Sequence, residues 1–389
     1  MDVLKRANEI KEEIIANRRY LHQHAEVAHD LPQTVAYVKE KLAEMGIEAK
    51  DCGKGGVTAV VGGTKPGKCV LLRADMDALP MKEESGLPFA SLCDNAAHTC
   101  GHDTHTDMLL GAAKLLKEME DDLNGCVKFM FQPAEECVSG AKSMIDDGIL
   151  ENPKVDVAAA QHIWALKPTG NVQYAHGPVA SSTDMFRIDI QGKGGHGAMP
   201  QLSIDPINVG AHIHIALQEL LAREVAPSAM AILTIGAFHS GTVGNIIPDS
   251  ACMRGTIRTM DPEVRAFLNK RLVEVVESTA ATYRATATVT IESSTPVLIC
   301  DKDACEAMGK SVASVLPEGT VQDNYEGLSG SEDFACVGEK VPSVLFILGA
   351  NPGNREESYG QHHPKVYFDE EAFPTGVATY VQAALAYLK

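Results

Sequence analysis

The sequence lacks the patterns of membrane, secreted and disulfide-rich proteins. It has no run of about 18 apolar residues, so no segment is expected to span a membrane. Its 10 cysteines are scattered and form no Cys-x-x-Cys pair, which argues against a disulfide framework. The N-terminus, MDVLKRANEIKEEI, has no uninterrupted apolar core of the kind that a signal peptide contains. We therefore expect a cytoplasmic protein with reduced thiols.

Basic residues are also few, with 34 Lys and Arg against 52 Asp and Glu and a net charge of −18. Nucleic acids and anionic membranes are polyanions that this charge repels, so we expect neither as a partner. The contents of hydrophobic (45%) and charged (22%) residues are those of an ordinary globular protein. At 389 residues the chain exceeds what one hydrophobic core usually supports, and two domains are expected.

The order of helical and strand patterns predicts how these domains are arranged. Both ends of the chain alternate helices and apolar strands, which is typical of an α/β layered domain. The middle follows the order β-α-β-β-α-β of a split-βαβ sandwich. The sequence thus predicts a two-domain α/β protein, in which a mixed-sheet catalytic domain is formed by residues 1–180 and 293–389. A ferredoxin-like (βαββαβ) lid is inserted at residues 181–292.

Four short polar clusters supply the residue types that bind a pair of divalent metal ions. They are Cys100 and His102 in HTCGHD, Glu135 and Glu136 in FQPAEE, His162, and His362 in QHHP. Zinc-class ions take thiolate, imidazole and carboxylate ligands, and hydrolytic sites keep one position open for water. His363 adjoins His362, and the sequence leaves open which of the two binds. A single pocket explains all of these clusters together.

The same clusters suggest a division of roles. Neighbouring carboxylates repel each other unless a cation or different roles separate them, so Glu136 is assigned to the metal and Glu135 to proton transfer. Carboxylates beside ligands can orient them through hydrogen bonds, and this supporting role is assigned to Asp75, Asp77 and Asp103. His196, in the glycine-rich segment GKGGHGAMP of the lid, could swing towards the metals.

With these residues, the chain resembles the zinc-dependent aminoacylase and carboxypeptidase family, in particular its branch of N-acyl-amino-acid amidohydrolases, hippurate hydrolases and auxin-conjugate hydrolases. The resemblance is carried, nearly end to end, by RADMDALP, CGHDTHT, QPAEE, GKGGHGAMP, NIIPD, GTIRT, SGSEDFA and HHP. It implies two divalent ions per subunit, zinc first and manganese, cobalt or nickel as alternatives. The implied ligands are Cys100, His102, Glu136, His162 and His362.

The resemblance also implies roles for residues outside the ligand set. Glu135 is the general base and acid, and His196 polarises the scissile carbonyl from the lid. Asn245 and Arg258 hold a substrate carboxylate, and the lid forms a homodimer.

The predicted reaction is hydrolysis of the amide bond of an N-acyl amino acid, such as an acetyl or benzoyl derivative, to an acid and a free amino acid. A metallo-exopeptidase or dipeptidase with the same metal pair is the closest alternative. A second alternative is a cysteine hydrolase with Cys100 as nucleophile, whose activity would survive removal of metal by a chelator. A non-catalytic metal- or ligand-binding protein on this scaffold would hold metal tightly without any turnover.

Overall fold

The computed structural model describes residues 1–353 and 357–389. Ten α-helices lie along these residues: α1 Val3–Glu9, α2 Lys11–Gln23, α3 Pro32–Glu44, α4 His102–Glu118, α5 Gly140–Asp146, α6 Pro206–Glu219, α7 Pro262–Thr282, α8 Lys302–Ala313, α9 Ala335–Gly338 and α10 Phe373–Leu388. Four of them begin with a side-chain cap, because Asp2, Asp205, Asp261 and Asp301 each accept a hydrogen bond from a backbone N–H of the first turn.

The same described ranges contain sixteen strands: β1 Ala49–Cys52, β2 Gly56–Gly62, β3 Lys68–Asp75, β4 Gly125–Gln132, β5 Val157–Pro168, β6 Val172–Gln173, β7 Gly177–Ala180, β8 Ser182–Gln191, β9 Gly195–His196, β10 Ala231–Ser240, β11 Ile246–Ile247, β12 Ser250–Thr259, β13 Thr286–Thr295, β14 Leu298–Cys300, β15 Val321–Gln322 and β16 Ser343–Asn351. The segment NIIPDSACMRGTIRT contains two of these strands, β11 and β12. Pro248 lies between them and has no N–H to donate to a ladder.

The described residues form two compact units. The first comprises Met1–Val179, Ile299–Gly327 and Asp333–Lys389, and the second comprises Ala180–Leu298 and Leu328–Glu332. The predicted second boundary, after residue 292, falls inside β13. The short return segment belongs with the second unit because Ser181 donates from its N–H to Gly330 O (2.9 Å) and from its Oγ to Ser329 O (2.7 Å).

The first unit is built on a mixed sheet in the order β1-β2-β4-β3-β5-β16-β6-β15. Strands β3, β4, β5 and β16 form its parallel centre. All residues of β4 are buried, as expected for a parallel strand covered on both faces, which explains its continuous apolar sequence. Parallel strands bring their carboxyl ends to one edge of the sheet, so the polar residues that follow β3 and β4 lie at the same edge.

The second unit has the element order β8-α6-β10-β12-α7-β13 and an antiparallel sheet in the order β10-β12-β8-β13. This is the predicted ferredoxin-like arrangement. Its core includes Phe186 and Met253 of the sheet, Ile213 of α6 and Leu268 of α7. The predicted fold class, an α/β protein with a large mixed sheet and an inserted lid unit, is confirmed. Among the described residues, no helix has the length and apolar character needed to cross a membrane.

Candidate metal centre

The five predicted ligands lie together in the first unit. The ligand atoms of Cys100, His102 and His162 are within 4.8 Å of one another, and so are those of Cys100, Glu136 and His362. Cys100 Sγ is 3.5 Å from His162 Nε2, and Glu136 Oε1 is 3.3 Å from His362 Nε2. Cys100 is common to both groups. Two groups of ligand atoms that share a thiol would be able to hold a pair of metal ions.

His362, rather than His363, belongs to this cluster. The Nδ1 of His363 accepts a hydrogen bond from Lys365 N (3.1 Å), and its ring stacks on Tyr359 with ring centroids 4.1 Å apart. His362 has a positive φ of 66°, and its N–H donates to Thr99 O (2.9 Å). Left-handed backbone at a non-glycine residue is strained and occurs often at functional sites.

Asp77 connects the glutamate pair to His102. Its carboxylate accepts the backbone N–H groups of Glu135 (Oδ1, 2.9 Å) and Glu136 (Oδ2, 3.2 Å). Its main-chain oxygen accepts a hydrogen bond from His102 Nδ1 (2.8 Å). This contact places the Nδ1 proton of His102 towards Asp77 O, so that Nε2 faces the cluster. The predicted supporting role of Asp77 therefore involves its carbonyl for the histidine and its carboxylate for the glutamates.

The approach of α4 to the site depends on Gly101. Its φ is 96°, and a Cβ atom at this position would lie 2.4 Å from Ile163 Cγ2. A side chain is excluded there, because the backbone is left-handed and the neighbouring strand is too close. Helix α4 begins at His102, directly after this glycine. Cys100 and His102 thus lie on either side of a position, Gly101, where the backbone accepts only glycine.

His105 was missed by the sequence analysis, although it is central to the support of the site. Its Nδ1 donates to Asp75 Oδ1 (2.5 Å), and its Nε2 accepts the backbone N–H of Ile163 (2.8 Å), next to His162. The predicted role of Asp75 as a supporting residue thus operates on His105. A spacing of three residues from His102 places His105 on the same side of a helix, and this was the available signal.

The residues present fit a metal pair. His102 Nε2 is buried and has no hydrogen-bond partner among the described residues. Buried polar atoms almost always have a partner, so a ring nitrogen that faces a thiol and carboxylates fits a cation-binding site. His162 donates from Nδ1 to Ile163 O (2.7 Å), which leaves its Nε2 for coordination. Thiol, imidazole and carboxylate together form the donor set of a zinc-class ion.

The ionisation of the ligands agrees with this fit. Burial raises the pKa of the Cys100 thiol. Burial opposes protonation of His102, but the negative charge of Asp75 outweighs it and raises the pKa of His102. Burial opposes ionisation of Glu136 as well, but the hydrogen bond with His362 and the charge of His102 lower its pKa. A metal ion would therefore compete with protons for Cys100 and His102, which would couple metal affinity to pH.

The other predicted residues lie elsewhere. Asp103 accepts hydrogen bonds from Arg18 Nε (2.7 Å) and His22 Nδ1 (2.8 Å) and is not part of the ligand cluster. In the second unit, His196 and Asn245 are close in space, because Gly197 N donates to Asn245 O (2.9 Å) next to the β9–β11 pair. Arg258, on β12, donates from Nη1 to Thr183 Oγ1 (2.7 Å).

The contacts of His22 predict a pH-dependent contribution to stability. Its Nδ1 meets Asp103 and its Nε2 meets both oxygens of Glu83 (3.1 Å each), so both nitrogens act as donors. Burial and the Arg18 charge lower the pKa of His22, but the two carboxylates outweigh them and raise it above 6.5. A raised pKa stabilises the fold fully below the unfolded value of about 6.5, and this contribution is lost as pH rises through the folded pKa.

We therefore expect the His22→Gln variant to be less stable than the wild type by a larger margin at pH 6 than at pH 9. The thermal unfolding midpoints of both proteins across this pH range test the prediction. A constant difference between the two midpoints would contradict it.

Comparison with known proteins places the chain in a family. Residues 71–386 match the profile of Peptidase family M20/M25/M40. The chain belongs to this family. It is 37% identical to the N-acetyl-L-cysteine deacetylase of Bacillus subtilis (strain 168), over 93% of this chain and 85% of that protein. It is also 37% identical to thermostable carboxypeptidase 2 of Saccharolobus solfataricus, over 97% of this chain and 96% of that protein.

A solved structure supports the assignment. The structure of a dinuclear metal-binding peptidase of the M20 family from Bacillus subtilis has a TM-score of 0.82 and 33% sequence identity, and the match covers 97% of this chain and 98% of that one. The predicted family and the predicted class of metal-dependent amide hydrolase are confirmed. Two divalent metal ions are supported by the family and by the two ligand groups around Cys100.

Proposed function

We propose that this M20-family hydrolase cleaves the amide bond of N-acyl amino acids and releases a carboxylic acid and a free amino acid. The observation that carries the proposal is the pair of ligand groups sharing Cys100, with Glu135 beside them. The deacetylase among the relatives supports this substrate class, and the carboxypeptidase supports an amide whose leaving group is an amino acid. Zinc is the proposed ion, with manganese, cobalt and nickel as alternatives.

The metal ions would be held by Cys100, His102, Glu136, His162 and His362. When bound, they supply the Lewis acidity that makes water nucleophilic near neutral pH and stabilises negative charge on the carbonyl oxygen. Glu135 accepts the proton of the attacking water and then donates it to the departing amine nitrogen. Glu135 is buried. One of its carboxylate oxygens lies within 4.8 Å of a ring nitrogen of His102 and of a carboxylate oxygen of Glu136. The two adjacent glutamates thus take different roles.

Residues of the lid complete the proposed machinery. Ala198 N donates to His196 Nδ1 (3.1 Å), which leaves the proton on Nε2. A neutral histidine with an Nε2 proton is a hydrogen-bond donor suited to polarising a carbonyl. Arg258 has a planar guanidinium fork that suits bidentate binding of the amino acid carboxylate, and Asn245 adds an amide donor.

The test is release of free amine from N-acetyl amino acids, N-benzoyl amino acids and dipeptides. The enzyme is stripped with chelator and refilled with zinc, manganese, cobalt or nickel. Metal-restored cleavage of the N-acyl substrates is the expected result. Cleavage of dipeptides alone would favour the exopeptidase, and tight metal binding without turnover would favour the binding protein.

We also propose a homodimer formed through the lid. Strand β10 lies at an edge of its sheet, where backbone groups are available for pairing, and it exposes Ile232 and Phe238. Helix α6, which packs near this strand, exposes Ile207 and Ile215, and the latter is 66% exposed. Exposed apolar side chains beside an open strand edge are typical of an interaction surface.

Analytical ultracentrifugation is expected to show a dimer for the wild type. The Ile215→Glu variant should shift the equilibrium towards monomer, because it places a charge in the apolar contact. A monomeric wild type at micromolar concentration would contradict the proposal.

A further inference from the structure

A buried aspartate of the SGSEDFA segment contacts the proposed general base. The Asp333 side chain is fully buried, and hydrogen bonds from several elements hold it. Its Oδ1 accepts hydrogen bonds from Arg73 Nη2 (2.9 Å) and Gln132 Nε2 (2.7 Å), and its Oδ2 accepts the backbone N–H of Ala141 (3.0 Å). These donors come from β3, β4 and the start of α5, so they fix Asp333 against three elements of the first unit.

The backbone of the same residue reaches Glu135. Asp333 N donates to Glu135 Oε1 at 3.4 Å. The backbone N–H of Glu135 donates in turn to Asp77. Glu135 is thus restrained at both ends, with its main chain held by Asp77 and its carboxylate held by Asp333. A glutamate side chain has several rotatable bonds, and both contacts limit the positions that its carboxylate can occupy.

Arg73 connects this restraint to the ligand side of the site. Besides Asp333, its guanidinium donates from Nη1 to Asp75 Oδ2 (2.8 Å) and from Nε to Gln132 Oε1 (2.8 Å). Asp75 accepts from His105, which receives the N–H of Ile163 beside the ligand His162. The buried guanidinium of Arg73 therefore contacts both Asp333, which holds Glu135, and Asp75, which holds His105 near the ligand His162.

We propose that Asp333 is a positioning residue for Glu135, with Arg73 and Gln132 fixing its carboxylate so that its backbone N–H holds the base in place. This inference rests on the proposed function, because it assigns Asp333 to the proton-transfer step. A base transfers a proton efficiently only within hydrogen-bond reach, and a displacement of about 1 Å can cost about 100-fold in rate. Asp333 touches neither substrate nor metal in this assignment.

The decisive variant is Asp333→Asn. An asparagine offers one acceptor oxygen and one NH2 group, so in either orientation the NH2 group faces a donor, either Ala141 N–H or the Arg73 and Gln132 pair. The restraint is lost while the side-chain volume is kept. We expect kcat to fall about 10- to 100-fold with KM unchanged, because the ground-state contacts of the substrate are not altered. The metal content should remain at the wild-type value.

A matched control separates positioning from general stability. Lys128 lies on β4, four residues before Gln132, and its buried Nζ donates to the carbonyls of Ile149, Glu151 and Pro153 at 2.7–2.9 Å. The Lys128→Met variant also removes a buried polar network from this strand and should lower the thermal midpoint. Its kcat should equal that of the wild type. A milder variant, Gln132→Met, removes one donor to Asp333 and should give a smaller fall in kcat.

A double-mutant cycle that combines Asp333→Asn with Arg73→Lys tests whether Asp333 acts through its contact with Arg73. Lysine keeps the charge but cannot bridge two carboxylates and Gln132 with a planar fork. If Asp333 works through Arg73, the two substitutions together should lower kcat by less than the product of their separate effects.

The outcomes are distinct. A wild-type kcat in Asp333→Asn, or an equal loss in Lys128→Met, would overturn the inference. If the wild type itself cleaves none of the substrates, the proposed function fails, and crystal structures of the wild type and of Asp333→Asn still decide the positioning. The Glu135 carboxylate is expected to move or to occupy several conformers in the variant, and an unchanged single position would overturn the inference.

Discussion

Replacement of Glu135 by glutamine is expected to lower kcat by about 10²- to 10⁴-fold, the usual contribution of a general base. Glutamine keeps the shape of the side chain and an oxygen for the Asp333 N–H, but it cannot take a proton. Both metal ions should stay bound, because the ligand groups around Cys100 do not require Glu135. Steady-state kinetics together with metal analysis of the purified variant test this expectation.

The neighbouring glutamate provides the control. Glu136 Oε1 lies 3.3 Å from His362 Nε2, and the site lowers its pKa, as expected for a ligand carboxylate. Glu136→Gln should therefore lose metal, whereas Glu135→Gln should lose turnover alone. Loss of metal from Glu135→Gln would show that Glu135 is a ligand and would remove its assignment as the base.

Removal of metal by a chelator is expected to abolish turnover, and refilling should restore it. The Cys100→Ala variant should bind fewer than two ions per subunit and lose most of its activity, because Cys100 belongs to both ligand groups. Metal analysis and amine release, measured on the same samples, test whether metal and activity are lost together.

The alternative of a cysteine hydrolase predicts the opposite result, because its activity would survive treatment with a chelator. Burial raises the pKa of Cys100, whereas a nucleophilic cysteine needs an accessible thiol with a lowered pKa.

Metal binding can also be followed without turnover. Trp164 is the only tryptophan in the sequence, and its ring centroid lies 5.9 Å from that of His162. Cobalt, which has visible absorption bands in such sites, should quench its fluorescence as the centre fills. The same titration of Cys100→Ala should show weaker or incomplete quenching. Equal quenching curves for the two proteins would contradict the place of Cys100 among the ligands.

Much of the ligand set could be predicted from the sequence because it follows local pattern. Asp75 is the last residue of β3, and the glutamate pair follows the end of β4 after Pro133 and Ala134. The apolar sequences of both strands identify them as buried parallel strands. His162 lies in the middle of β5, and the parallel register that pairs Arg73 with Ala160 brings it level with Asp75 at the end of β3. The carboxyl ends of such strands meet at one edge, so proximity follows from strand order without knowledge of any contact.

The supporting residues were harder to predict because their roles depend on partners distant in the chain. Asp103 adjoins a ligand in sequence, yet it contacts Arg18 and His22, since the helix turns its side chain away from the cluster. Arg73 and Asp333 are 260 positions apart and meet only when the last segment of the chain returns to the first unit. The pattern of apolar and polar residues in a short stretch of sequence cannot predict a contact between residues so far apart in the chain.

The sequence by itself determined the order of elements, the two-unit α/β architecture and the residue types of a metal pair, because hydrophobic periodicity and strand ends are local properties. Only the tertiary structure decided which nitrogen of each histidine faces the cluster and which carboxylate supports which group. These choices are made by hydrogen bonds such as those of Asp77 to His102 and to the glutamate pair. A hydrogen bond exists only where two groups meet within about 3 Å, and folding alone brings them there.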